Sequence, residues 1–251
     1  MATKFLKKIS FIGELDGGSY LNDIPAVKYL TQAGEISIDN DVTIFVGENG
    51  TGKSTLLEAI AVACGFNPEG GSRNFTFATA ETHSELCKHI MVSRHTIPKD
   101  GFFLRAESFY NVATHIEELD SDEMADMLGA ANIKDSYGGI SLHNQSHGES
   151  FLALVKNRFG GNGLYILDEP EAALSPMRLL TLIRLMKDLV DNGSQFIIST
   201  HSPILMAFPG AQILELTERG IKPTCYQDTE HYQVTKRFLD NPEKMLSYLL
   251  E

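Results

Sequence analysis

Val42-Thr43-Ile44-Phe45-Val46-Gly47-Glu48-Asn49-Gly50-Thr51-Gly52-Lys53-Ser54-Thr55 is the stretch on which the reading of this chain turns. Val42 to Val46 is nearly all apolar, as a strand buried on both faces of a parallel sheet should be. Glycines 47, 50 and 52 let the backbone wrap so that its N–H groups point at one place. After Ser54 the residues Leu56, Leu57, Ile60, Ala61 and Cys64 form one helical stripe, with Gly65 as a stop and Pro68 beyond it. A strand, a glycine cradle and a helix N-terminus in succession make a phosphate site, because loop amides and the positive helix end act together. The spacing G-x-x-x-x-G-K-[ST] arises by accident in roughly one chain in a hundred of this length, and the flanking elements make accident rarer. In such a loop Lys53 reaches the β- and γ-phosphates and the Ser54 hydroxyl ligates magnesium.

Three further segments carry chemistry. Leu164-Tyr165-Ile166-Leu167-Asp168-Glu169 is an apolar strand ending in two acids. With a phosphate cradle upstream, Asp168 suits a magnesium ligand and Glu169 a base that polarises the attacking water. Gln145-Ser146-His147-Gly148-Glu149 precedes a helix; its Ser-x-x-Glu spacing fits a capping box, and its small residues at a helix N-terminus equally fit an anion site. Ser199-Thr200-His201-Ser202-Pro203 puts a histidine at a strand end, where it either contacts the γ-phosphate or serves the fold.

These segments, in this order, resemble the ATP-binding cassette superfamily. Gly47 to Ser54 is similar to Walker A, Gln145 to Glu149 to a variant signature motif and Leu164 to Glu169 to Walker B. Ala172-Ala173-Leu174-Ser175 is similar to a D-loop and His201 to the switch histidine. The resemblance runs from about residue 5 to 226. It implies a P-loop NTPase of ABC ATPase type, an α/β fold with a central mainly parallel sheet, an N-terminal antiparallel β section and a helical lobe over about 66–145 inside one domain, 1–251. It also implies Mg2+-dependent hydrolysis of ATP to ADP and phosphate, and a homodimer of heads packed head to tail. Gly47, Glu48, Asn49, Gly50, Thr51, Gly52, Lys53, Ser54 and Thr55 of one head would hold the nucleotide. Ser146, Gly148 and Glu149 of the other would close over it. Lys53, Glu169 and His201 are the catalytic candidates, and Ser54 and Asp168 the metal ligands.

Asp168 to Pro176 and Ser-Thr-His-Ser-Pro look most like soluble SMC/RecF-type heads and small bacterial ATPases. The signature-like segment is not LSGGQ: Gln145 replaces Leu, His147 the first Gly and Glu149 Gln. No glutamine lies between Ser54 and Asn144, so the usual Q-loop residue is missing. Glu107 is a substitute metal candidate, because Arg105 and Glu107 share a face of the strand Phe103 to Glu107; a surface ion pair is the alternative. Arg73, in a glycine-rich loop, is a phosphate-contact candidate or merely solvated. About ninety residues between cradle and signature cannot hold the long heptad arm of an SMC rod.

The rest of the chain sets limits. A length of 251 residues allows one substantial core. A net charge of -12 gives no support to a DNA partner, which a basic excess would favour. The seven acids between Thr114 and Asp135, against Lys134 alone, read as a solvated helical face. No apolar run suits a signal peptide or membrane span, so a cytoplasmic protein without membrane insertion is expected. Cys64, Cys87 and Cys225 lack metal or disulfide spacing and read as buried apolar residues. Helices are expected near Thr82 to Met91, over Ser150 to Phe159, Pro176 to Asn192, Thr229 to Leu239 and Pro242 to Leu250. Strands are expected over Phe5 to Ile12, Gly101 to Ala106 and Phe196 to Ser199, with a hairpin from Ile213–Leu216 and Ile221–Tyr226. Phe11, Tyr20 and Tyr29 are candidates for stacking on a base.

Overall fold

The structure is a computed structural model that describes residues 5–72, 84–106 and 146–250. In chain order its elements are β1 (Leu6–Phe11), α1 (Pro25–Ala33), β2 (Glu35–Ser37), β3 (Val42–Gly47), α2 (Lys53–Ala63), β4 (Ile90–Arg94) and β5 (Asp100–Arg105). Then follow α3 (His147–Arg158), β6 (Gly163–Asp168), α4 (Pro176–Asp191), β7 (Gln195–Ser199), α5 (Pro203–Met206), β8 (Gln212–Thr217), β9 (Gly220–Pro223), α6 (Glu230–Asp240) and α7 (Pro242–Leu250). Short 3-10 turns lie at Tyr20–Asp23, Glu85–His89, Pro170–Ala173 and Tyr226–Asp228.

Six strands form the central sheet in the order β5-β6-β7-β3-β8-β9. The first five are parallel, and β9 turns back antiparallel on β8 through Thr217 and Gly220. Every residue of β3, β6 and β7 is buried, as strands covered on both faces must be. Alternation sorts β3 between two cores: Val42, Ile44 and Val46 face Phe151, Leu179, Leu182 and Met186 of α3 and α4, while Phe45 faces Leu56, Leu57 and Ile60 of α2. A second sheet, β2-β1-β4, is antiparallel and packs Leu6 and Ile9 into the α2-side core. The buried Gln195 amide ties the two sheets, accepting from Leu6 N and donating to Leu6 O at 2.8 Å each.

Register then fixes the site. Arg105 pairs with Asp168, Asp168 with Ser199 and Ser199 with Phe45. The C-terminal ends of β5, β6, β7 and β3 therefore share one edge, which is where open parallel sheets bind ligands.

Most expected elements are present within a residue or three, and four readings change. The N-terminal section is not only β: α1 starts with Pro25 at its first turn and ends at Gly34, φ 76°. Over Ser84 to Met91 the chain forms a 3-10 turn and then enters β4, not a helix, because β4 completes the antiparallel sheet beside β1. The described parts of the interval 66–145 include strands β4 and β5; the rest of the expected helical lobe, with the acidic run, lies outside the described residues. Of the cysteines only Cys64 is buried; Cys87 is half-buried and Cys225 exposed.

Asp100, at the start of β5, anchors α3 to the sheet. One carboxylate oxygen accepts from the Arg158 guanidinium at 2.8 Å; the other accepts from Gly160 N at 3.0 Å and the Tyr165 hydroxyl at 2.8 Å. Burial alone would push this carboxyl up, but these bonds outweigh it and hold it below its usual range. Asp100→Ala is expected to cost about 2–3 kcal/mol, read as a lower urea midpoint at unchanged m. A depressed folded pKa means that the contribution is present at neutral pH and is lost as the pH falls through that pKa. The gap between parent and variant should therefore close in acid.

Candidate nucleotide-binding site

The loop after β3 has a shape that side chains would forbid. Gly47 has φ 147° and Gly52 φ 95°. A Cβ on Gly47 would stand 2.3 Å from Leu216 O, and one on Gly52 2.3 Å from Ile24 Cγ2. Ala26 N donates to Thr51 O at 3.0 Å, so the start of α1 braces the loop from outside. Lys53 is buried at the head of α2, and its ammonium donates to Gly47 O at 2.8 Å and Glu48 O at 3.0 Å. Burial lowers its pKa, while the carboxylates of Glu169, Asp168, Glu48 and Glu171 oppose the shift.

Ser54 Oγ donates to Asp168 Oδ1 at 3.2 Å. Asp168 is buried, and burial pushes its carboxyl up to about 6, with Arg105 pulling it down and Glu169 adding repulsion. Arg105 Nε stands 3.5 Å from Asp168 Oδ2 and its Nη1 2.7 Å from Glu58 Oε2. Glu58 Oε1 in turn accepts from Ser84 N at 2.7 Å. The Arg105 face is thus an ionic bridge from α2 to the end of β6. Glu107, its expected neighbour, lies outside the described residues, as do Arg73 and Gln145.

Glu169 follows in a left-handed conformation, φ 48° and ψ 52°, held by its N–H to Ser199 O at 3.0 Å. Its Oε1 is 3.5 Å from His201 Nε2. Glu171 accepts from His201 N and is buried enough that its carboxyl is pushed up. On its other side the His201 ring meets His231 of α6, Nδ1 to Nε2, at 2.9 Å. A 300 Å³ cavity opens here, lined by Lys53, Ser54, Thr55 and Glu169. A larger one of 730 Å³ lies between the loop and β8–β9, reached by Glu48, Asn49, Glu215, Lys222 and His231.

The structure therefore brings together Gly47 to Thr55, Asp168, Glu169 and His201. Ser146, Gly148 and Glu149 stand apart, at the head of α3. Ser146 N and Oγ donate to Glu149 Oε2 at 3.1 and 2.6 Å, closing a capping box. Arg178 of α4 donates to Ser146 Oγ at 3.1 Å and to Glu149 at 3.0 Å. The Ser146 bonds come first in holding the exposed Glu149 carboxyl below its usual range. Gly148 leaves the room that Arg178 fills, since a Cβ there would be 2.4 Å from its guanidinium. Sequence reasoning missed Arg178, Glu58, Glu171 and His231; each lies in a helix or 3-10 turn whose local pattern carries no sign of its distant partner. Of the base-stacking candidates, Phe11 is stacked on His89 and Tyr29 packs against Gly220, while Tyr20 is exposed.

One family model, an AAA domain, matches residues 26–103, and a second AAA domain, whose description names an AbiEii toxin and a Type IV TA system, matches residues 83–207. The chain is 29% identical over 206 residues to the cytochrome c biogenesis ATP-binding export protein CcmA of Rhizobium meliloti, covering 73% of this chain and 92% of that one. It is 28% identical over 195 residues to an uncharacterized ABC transporter ATP-binding protein of Haemophilus influenzae, covering 72% of each. Family models, relatives and fold together support an ATPase of the ATP-binding cassette superfamily. Two solved cassettes of ABC transporters share its fold at 17% and 16% identity. Their TM-scores are 0.50 and 0.51, and they cover 98% and 96% of this chain and 99% and 96% of theirs. No helix among the described residues is long and apolar enough to cross a membrane.

Because Arg105 neutralises two buried carboxylates of this cassette, Arg105→Ala leaves both Glu58 and Asp168 uncompensated. The expected loss is about 3–5 kcal/mol, measured by thermal or denaturant unfolding.

Proposed function

We propose that this chain is a Mg2+-dependent ATPase head, of the soluble SMC/RecF-like kind, that closes head to tail with a second copy around ATP and acts as a switch on a protein partner. One observation carries the reading: a buried Lys53 ammonium in a glycine cradle, a Ser54–Asp168 contact of 3.2 Å and a Glu169 carboxylate 3.5 Å from His201, all at one sheet edge. Lys53 would exchange its two loop carbonyls for β- and γ-phosphate oxygens, a stronger charge-assisted contact. The loop amides and the N-terminus of α2 would hold the rest of the triphosphate.

Ser54 and Asp168 fit a magnesium site, being hard oxygen donors beside a buried carboxylate whose raised pKa marks unmet demand for positive charge. When bound there, magnesium would neutralise charge on the phosphate oxygens. Glu169 would accept the proton of the attacking water; it lines the 300 Å³ cavity together with Lys53 and Ser54. His201 would donate a hydrogen bond to the γ-phosphate. Ser146 and Gly148 of the second copy, presented at the head of α3, would complete the pocket, with the partner's nucleotide meeting the Arg178 charge as well.

A transporter energiser is the second reading, favoured by the names of the relatives. The altered signature-like segment and the absent glutamine between Ser54 and Asn144 weigh against it. A DNA maintenance or defence role is a third, carried by the SMC/RecF-type resemblance and unsupported by the charge of -12.

Glu169→Gln is expected to bind ATP, lose turnover by about 10²- to 10⁴-fold and accumulate a dimer with Mg-ATP on size exclusion. Parent-like turnover would remove Glu169 from the role of base, and a monomer throughout would overturn the head-to-tail closure. Lys53→Ala should weaken ATP binding by about 10- to 100-fold in calorimetry. DNA-stimulated turnover that collapses steeply with salt would move the reading to nucleic-acid maintenance. Co-purification with an integral membrane protein would move it to transport.

A further inference from the structure

Two imidazole nitrogens 2.9 Å apart share one hydrogen: one ring donates and the other accepts. Burial lowers the pKa of both His201 and His231; beyond burial, Lys53 depresses His201 and His201 depresses His231, while Glu169 and Glu48 oppose the shift at His201 and Glu48 and Glu230 oppose it at His231. Each ring therefore carries a single proton near neutrality, and two arrangements compete. In the first, His231 Nε2–H donates to a bare His201 Nδ1. In the second, the roles reverse and His201 Nε2 is left bare.

The far side of the His201 ring decides between them. Nε2 is buried, has no hydrogen-bond partner among the described residues, and has Glu169 Oε1 3.5 Å away. A carboxylate only accepts, so a bare nitrogen lone pair facing it would be repelled, whereas an N–H is attracted. We infer that His231 is a positioning residue for His201: its Nε2–H occupies His201 Nδ1 and so fixes the His201 proton on Nε2, aimed at Glu169 and the mouth of the cradle. This deepens the ATPase reading above and rests on it for its chemical purpose. The nitrogen so armed is the one that can donate to a γ-phosphate oxygen.

The placement of His231 is itself well defined. It is the second residue of α6, whose N-cap, Thr229, is fully buried; the Thr229 hydroxyl accepts from Tyr232 N at 3.3 Å and donates to Tyr226 O at 2.8 Å. The Tyr226 and Tyr232 rings meet beside it in a tilted contact, centroids 4.6 Å apart. The histidine ring is thus held by a capped helix start and not by a free loop. Through it, α6 reaches the ring whose other nitrogen would contact phosphate.

The test compares His231→Leu, which fills the space without a donor, with His231→Gln, whose side-chain amide can still donate to Nδ1. His231→Leu should lower kcat for Mg-ATP by about 10- to 100-fold with KM within about threefold, and His231→Gln should recover most of that loss. Parent-like kcat in His231→Leu, or an equal loss in His231→Gln, would overturn the inference. A second measurement does not depend on turnover. Nitrogen-15 NMR of histidine-labelled parent protein, with the His201 ring assigned by its absence in His201→Asn, should show the proton on Nε2. A proton on Nδ1 would overturn the assignment whether or not the protein hydrolyses ATP. If the parent shows the Nε2–H ring yet has no ATPase activity, the ATPase reading fails and the histidine pair stands.

Discussion

The end of β6 carries a carboxylate, Asp168, in a place where a carboxylate is costly. It is buried, carries a second acid as its immediate successor, and among the described residues is met by Ser54, by the Ser199 side chain and by an Arg105 nitrogen at 3.5 Å. Much of the surrounding architecture answers that one group. Arg105 must come from the neighbouring strand at the paired register position, and Glu58 must come from α2 to orient Arg105. Ser84 must then supply an N–H to Glu58. The chain of contacts crosses from the sheet to the helix behind the cradle and on to the antiparallel layer. A site that needs positive charge to become stable is thereby built into the packing of three layers.

The same logic separates two kinds of rigidity. Gly47 and Gly52 are tight because backbone or an aliphatic side chain fills the space of a missing Cβ, so the cradle has a fixed form before any ligand arrives. Asp168 and the Glu169–His201 pair beside it are held electrically, through contacts of 3.2 to 3.5 Å that an anion or cation could shorten or replace. Preformed backbone and unsettled charge are what a site needs if binding is to be both specific and consequential.

How far the sequence could be read follows from this division. The cradle, β3, β6 and the α2 stripe were legible because each is a local pattern: a period of hydrophobicity, a glycine spacing, a helix stop at Gly65. The capping box at Ser146 and Glu149 was legible for the same reason, three residues apart. Helix α1 was missed although Pro25 and Gly34 bracket it, because nine residues beside turn signals give too short a stripe. Leu86 and Ile90, both buried and four apart, imitate a helix where a 3-10 turn runs into an edge strand. Arg178, Glu58 and His231 owe their places to partners 26 to 47 residues away. No local spacing announces such contacts.

Glu169 sets chemistry against economy of backbone. Its φ of 48° is a conformation that costs an L-residue about 1–2 kcal/mol and a glycine nothing. A change to glycine at this codon would thus relieve the backbone while removing the base proposed above. Under the role proposed for Glu169, thermostability and turnover compete at this position, and a programme that selects variants of this protein for heat resistance alone would meet that conflict here.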